Sequence, residues 1–207
     1  MSVTQKSFGC PGPAGKLEGI AHLPAAEPRA IAIVAHPLPT MGGNMDNKVA
    51  FTLARSFADL GCAVLRFNFR GVGDSEGSFD HGEGETDDLL AVTHYAREQF
   101  GEDLPLLLGG FSFGAYVAAR AAQQLHPQHL VLAGPSVKRL AMPPKVSPDT
   151  LVIHGEHDDV VPLAEVMDWA RPQHLPVVVL PGAEHFFHGR LTQLREIVLR
   201  HFRGVAL

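Results

Sequence analysis

Short apolar runs rich in Val, Leu and Ile alternate along this chain with longer stretches in which apolar residues recur every three or four positions. The first kind reads as buried strands and the second as amphipathic helices. Strands are predicted near Val3 to Phe8, Leu17 to His22, Ala30 to Ala35, Ala63 to Asn68, Pro105 to Gly110, Leu130 to Ala133, Leu151 to His154 and Val177 to Leu180. The turn-forming Pro11-Gly12-Pro13-Ala14-Gly15 between the first two predicts an antiparallel hairpin. Helical spacing links Val49, Leu53, Phe57 and Leu60 after a cap at Asp46 or Asn47, then Leu89, Val92, Ala96 and Phe100, and last Leu191, Leu194, Val198 and Phe202. Phe113 to Leu125 is Ala-rich and nearly uncharged, which predicts a helix buried on most sides. Strands alternating with helices in this way predict a mostly parallel eight-stranded α/β sheet with helices on both faces.

Composition narrows the class. The 207 residues read as one domain spanning 1–207, with no internal repeat or dividing linker, and a chain of this size buries about 70% of its unfolded surface. Apolar residues make up 45% and charged residues 19%, and the 21 Gly and 16 Pro are scattered, so neither disorder nor a fibrous repeat fits. Seventeen Lys and Arg against 22 Asp and Glu leave a net charge of −5 with no basic stripe, which argues against a nucleic-acid partner. The polar opening from Met1 to Cys10 lacks an apolar core of the signal-peptide kind, and no run is long and apolar enough for a membrane span. A cytoplasmic protein with two reduced thiols, Cys10 and Cys62, is expected.

Two stretches match G-x-S-x-G: Gly110-Phe111-Ser112-Phe113-Gly114 and Gly73-Asp74-Ser75-Glu76-Gly77. The motif is short enough to arise by chance, so its context decides. A nucleophilic serine of this kind sits on a strained turn, with a strand running into it and a helix starting from it. Ser112 has both neighbours, whereas Ser75 is cut off from the preceding strand by Gly71-Val72-Gly73 and followed by a loop from Gly77 to Gly84. At a helix N-terminus Ser112 would also face free N–H groups suited to a developing anion.

A serine hydroxyl needs a histidine to take its proton, and the imidazole needs a carboxylate to fix its tautomer. Two loops after later strands hold such residues, Gly155-Glu156-His157-Asp158-Asp159-Val160-Val161-Pro162 and Pro181-Gly182-Ala183-Glu184-His185-Phe186-Phe187-His188. Taken together, these motifs resemble the α/β-hydrolase superfamily over nearly the whole chain, particularly its small, uncapped bacterial members akin to dienelactone hydrolases and short-chain carboxylesterases. The resemblance implies that Asp158, in G-x-x-D-x-x-V-P, is the acid and that His185, in G-x-x-H, is the base. It likens His36-Pro37-Leu38-Pro39-Thr40-Met41-Gly42-Gly43 to an oxyanion loop, with Pro37 where Gly is commoner, and implies oxyanion donors at the amides of Leu38 and Phe113. It also likens Asn68 to Ser75 to a structural R-G-x-G-x-S turn. His36 is expected to brace the oxyanion loop.

Several alternatives stay open at this level. Asp158 or Asp159 could be a loop acid or a helix cap, and His188 a cap or rim residue. His154, His157, Asp158, His185 and His188 are ligand types, but no metalloenzyme spacing joins them, and neither metal nor cofactor is expected. The reading is a serine hydrolase of small carboxylic esters acting through Ser112, His185 and Asp158, with Met41, Phe111, Val160, Phe186 and Phe187 in an apolar substrate pocket. A thioesterase, amidase or acyltransferase would use the same triad, and an idle hydrolase-like binding protein would keep it unused. Only Gly134 to Thr150, 17 residues with four prolines, separates the sixth and seventh strands, where related proteins insert a cap. An open cleft is therefore expected, with walls near Met41, Phe79 and Phe186.

Overall fold

The computed structural model describes residues 3–138 and 140–205. It contains β1 (Val3–Gly12), β2 (Gly15–Pro24), β3 (Ile31–Ala35), α1 (Lys48–Asp59), β4 (Ala63–Phe67), α2 (Glu83–Phe100), β5 (Leu106–Phe111), α3 (Phe113–Leu125), β6 (His129–Ala133), β7 (Leu151–Gly155), α4 (Leu163–Ala170), β8 (Val177–Leu180) and α5 (Leu191–His201). All eight strands join one sheet in the order β1-β2-β4-β3-β5-β6-β7-β8. β1 pairs antiparallel with β2, and β2 with β4, while every other pairing is parallel. This is the mostly parallel eight-stranded sheet that the sequence pattern predicts, and no cap domain is present among the described residues.

The strand period of two divides the core. Ile31, Ile33 and Ala35 of β3 face one apolar cluster with α2, α3 and α4, whereas Ala32 and Val34 face another with α1 and α5. Because both faces are covered, the central strands β3 and β5 are apolar throughout, and so they appear in the sequence as unbroken runs. The Asn47 side chain caps α1 by accepting from the amides of Val49 and Ala50, which decides between Asp46 and Asn47.

Two expectations need correction, and one helix escapes the sequence pattern. The hairpin strands run further than predicted, to Gly12 and from Gly15, and include Pro11. β1 is an edge strand, where a residue without an N–H is tolerated. Helix α2 starts at Glu83, inside the stretch read as loop, because the buried Glu85 carboxylate accepts from the amides of Asp80 and Gly82 and closes the first turn. Helix α4 spans only eight residues, too few for its periodicity to register in the sequence. Both cysteines are free and buried.

From β3 the chain builds outward in both directions, through β4 on one side and β5 to β8 on the other. The loops leaving the C-terminal ends of β3 and β5 therefore start side by side, with Ala35 paired to Gly110. A crevice at such a switch point is where open parallel sheets bind ligands. Between β6 and β7 the described residues contain no helix. This connection is pinned to the helical layer instead, where Trp169 Nε1 donates to the Pro143 carbonyl and the Gln173 side chain accepts from the Val146 amide. Among the described residues no helix is long and apolar enough to cross a membrane.

Candidate active site

Ser112 lies between β5 and α3 with φ 56° and ψ −114°, a conformation that costs a non-glycine residue of order 1–3 kcal/mol. The flanking glycines make the turn possible. A Cβ on Gly110 would sit 2.2 Å from the Gly114 carbonyl oxygen, and one on Gly114 would sit 2.3 Å from that of Ala35. Strand and helix therefore approach more closely than any side chain permits, and the Ser112 amide is tied to Ala133 O at 2.9 Å.

His185 Nε2 lies 3.0 Å from Ser112 Oγ, and His185 Nδ1 lies 2.7 Å from Asp158 Oδ2. A carboxylate accepts, so Nδ1 carries the proton and Nε2 is left to accept from the serine hydroxyl. The other carboxylate oxygen of Asp158 accepts from the amides of Val160 (3.0 Å) and Val161 (2.7 Å). Burial alone would push the Asp158 carboxyl up. The hydrogen bonds from His185 and Val161, with the electrostatic influence of the His185 and His154 rings, outweigh that and hold it below the usual carboxylate range. All three residues are buried, although they come from segments 27 and 73 positions apart. The rival candidates lie elsewhere: Asp159 is exposed, and His188 is an exposed residue 3.8 Å from Glu184 that does not cap α5, whose N-cap is Arg190.

The 36–43 loop closes on itself, with the amides of Met41 and Gly43 both donating to Leu38 O. A Cβ at Gly43 would come within 2.1 Å of the Pro37 carbonyl oxygen. Pro37 has no N–H, and the next amide, that of Leu38, has no protein acceptor among the described residues. Phe113 opens α3, so its N–H has no acceptor within the helix. His36 braces the loop, donating from Nδ1 to Pro37 O (2.7 Å) and accepting at Nε2 from the Phe69 amide (3.1 Å). Its burial pushes its pKa down to about 4, so the ring stays neutral.

A cleft of about 420 Å³ opens above Ser112 and His185, lined by Leu38, Met41, Phe113, Leu140, Val160 and Phe186 together with Asn47, Ser136 and the 42–43 glycines. Met41, Val160 and Phe186 are its exposed apolar rim. Two sequence expectations fail here. Phe111 and Phe187 line no part of the cleft: both are fully buried, Phe111 with its ring 4.9 Å from that of His185 and Phe187 in the α1–α5 core. Neighbouring residues on a turn take opposite sides, so Phe186 reaches the cleft and Phe187, with φ 52°, turns inward. Nor is Phe79 a wall, since it packs against Phe113. Leu140, Ser136 and Asn47 also line the cleft, a role the sequence does not announce, Asn47 reading there as a helix cap alone. For Ser136 alone there was a signal, its position just past the C-terminal end of β6.

Ser75 is a structural tie: its buried hydroxyl donates to Asn68 O (2.7 Å) and accepts from the Glu18 amide (3.1 Å). Among the described residues no three His, Cys, Asp or Glu side chains are grouped as a metal ion would need.

Comparison with known proteins gives the same picture. The family model for the alpha/beta hydrolase fold matches residues 37–148. A serine hydrolase without lid from Xanthomonas campestris shares 40% identity and a TM-score of 0.91, covering 99% of this chain and 96% of that one. An alpha-beta serine hydrolase homologue from Coxiella burnetii shares 38% identity and a TM-score of 0.88, covering 97% and 98%. An uncharacterized protein of Rickettsia prowazekii is 32% identical over 203 residues, 90% of this chain and 84% of its own length. By family match, architecture and relatives alike, the chain belongs to the α/β-hydrolase fold family.

Proposed function

We propose that this protein is a serine hydrolase of small, uncharged carboxylic esters that works through an acyl-enzyme. The reading is carried by the unbroken hydrogen-bonded run from Ser112 Oγ through His185 to Asp158 at the floor of an apolar cleft. Ser112 attacks the ester carbonyl as His185 Nε2 takes its proton. Asp158 holds His185 in the required tautomer and stabilises the imidazolium that forms. The carbonyl oxygen, now an anion, is received by the amides of Leu38 and Phe113, both free of competing protein acceptors, beside the positive end of α3. His185 then returns the proton to the departing alcohol, and a water activated by the same ring releases the acid.

The apolar lining contributed by Leu38, Met41, Phe113, Leu140, Val160 and Phe186 favours uncharged acyl groups over peptides and phosphoesters. The test is reaction with a fluorophosphonate, with the modified residue located by mass spectrometry, beside hydrolysis of p-nitrophenyl and acyl-CoA esters. Labelling at Ser112 and faster turnover of oxygen esters are expected. Labelling elsewhere would overturn the nucleophile, and a preference for thioesters would move the substrate class.

A further inference from the structure

His154, the fourth residue of β7, is fully buried and has no part in the reaction proposed above. Its Nε2 lies 2.8 Å from Val161 O and 3.4 Å from Asp158 Oδ2, the same oxygen that His185 Nδ1 meets at 2.7 Å. Its Nδ1 is buried with no partner among the described residues. Since the Val161 carbonyl can only accept, the proton sits on Nε2 and the ring is the neutral Nε2–H tautomer.

Such a placement is costly. A buried ring nitrogen left unsatisfied gives up its hydration without return, and the preceding residues of the strand, Leu151, Val152 and Ile153, are apolar and carry no such cost. The ring's two contacts converge on one group. Val161 gives its N–H to Asp158 Oδ1 and its C=O to His154, so the histidine holds the peptide that holds the carboxylate. The same nitrogen also lies 3.4 Å from Oδ2, beyond a hydrogen bond to it but close enough for the N–H dipole to act on the carboxylate. The charged groups that bear on the ring are Asp158 and His185, and its partner on β8 is the apolar Val179.

We infer that His154 is a positioning residue for the triad, aiming the Asp158 carboxylate at His185 and lowering the proton affinity of the Asp158–His185 pair. The inference rests on the roles proposed for those two residues. An N–H held beside Asp158 stabilises the bare carboxylate more when His185 is neutral than when an imidazolium already neutralises it. The donor thus favours the neutral, proton-accepting form of His185, and its removal raises the pH at which His185 titrates.

Two measurements test this. Nitrogen-15 NMR of the wild-type protein at neutral pH should show His154 as the Nε2–H tautomer; an Nδ1–H tautomer or an imidazolium there overturns the inference. His154→Leu removes the donor, whereas His154→Gln keeps an N–H. For the Leu variant, the acid limb of kcat/KM and the NMR midpoint of His185 should both rise by about one pH unit. Its kcat should fall about tenfold with KM unchanged, while the Gln variant should keep both midpoints near wild type. A folded Leu variant with unshifted midpoints overturns the inference. Failure of wild-type Ser112 to react with fluorophosphonate would defeat the serine reading instead, and the His185 midpoint, which needs no turnover, still decides the role of His154.

Discussion

The carboxylate of Asp158 meets the imidazole of His185 at 2.7 Å across 27 residues of chain, while its other oxygen is held by two backbone amides of its own turn. The carboxylate is thus fixed from both sides, and the ring has one tautomer available to it. Asp158→Asn should leave the fold intact, present His185 with the wrong proton and reduce kcat on the order of 10⁴-fold, as in other triads. Asp159→Asn, on an exposed side chain, should change kcat little. Steady-state kinetics of the two variants decides the acid, and a reversed order of severity would assign it to Asp159.

The two serines in G-x-S-x-G settings should separate cleanly. Ser112→Ala is expected to abolish ester hydrolysis and fluorophosphonate labelling with little change in melting temperature. Ser75→Ala should keep both activities but lose the ties to Asn68 and Glu18, a destabilisation of about 1–3 kcal/mol. Labelling and thermal melts measured on the same preparations would reveal equal loss of activity from the two changes, which would sink the assignment.

Acid should destabilise the fold in a defined window. His36 titrates near 4 in the native state and near 6.5 when unfolded. Between those values the unfolded chain binds the extra proton, so stability is full above about pH 6.5 and falls as pH drops toward 4. The full shift corresponds to about 3 kcal/mol. Asp158, held below its ordinary range, adds a second loss at lower pH, as acid protonates a carboxylate that the native state keeps ionised. Buried His22, whose pKa is likewise pushed down to about 4, adds to the same slope, so in urea melts from pH 7 to pH 4 His36→Gln, which has no titrating ring, should make it shallower. An equal slope in the variant would remove His36 as its source.

With the 134–150 connection pinned at Pro143 and Val146 and no helix in it among the described residues, substrate should enter without waiting for a lid. Highest kcat/KM is expected on soluble esters of roughly two to six acyl carbons, with no jump in rate as substrate passes its micelle limit. Phe186→Ala and Met41→Ala, on the cleft rim, should raise KM more than they lower kcat. A p-nitrophenyl ester series checks both points, and activity rising steadily to palmitoyl esters would point to a mobile segment acting as a lid.

The same glycines that flank Ser112 set a limit on the turn itself. Gly114→Ala would drive a Cβ into the backbone of β3 at Ala35, where nothing can move aside as a flexible side chain would. Thermal melts should show a loss of about 1–3 kcal/mol or more, together with loss of fluorophosphonate labelling. Normal stability in this variant would mean that α3 can back away from the sheet.

The features legible along the chain are those that depend on neighbouring residues. Buried strands repeat every two residues and amphipathic helices every three or four, so the eight strands and four of the five helices appear as local patterns, as does the turn at Ser112 with a strand before it and a helix after it. The motifs around Asp158 and His185 were legible for the same reason, each being complete within about eight residues. Contacts between distant segments could be decided only by the tertiary structure. Phe186 and Phe187 are alike in sequence, and only the turn after β8, packed on α1 and α5, sends one to the cleft and the other to the core. His154 reads as one more polar residue at a strand end until the 158–161 turn folds over it. Its meaning lies in a distance to Asp158 that no periodicity encodes, because side-chain packing, and not spacing along the chain, sets which atoms meet.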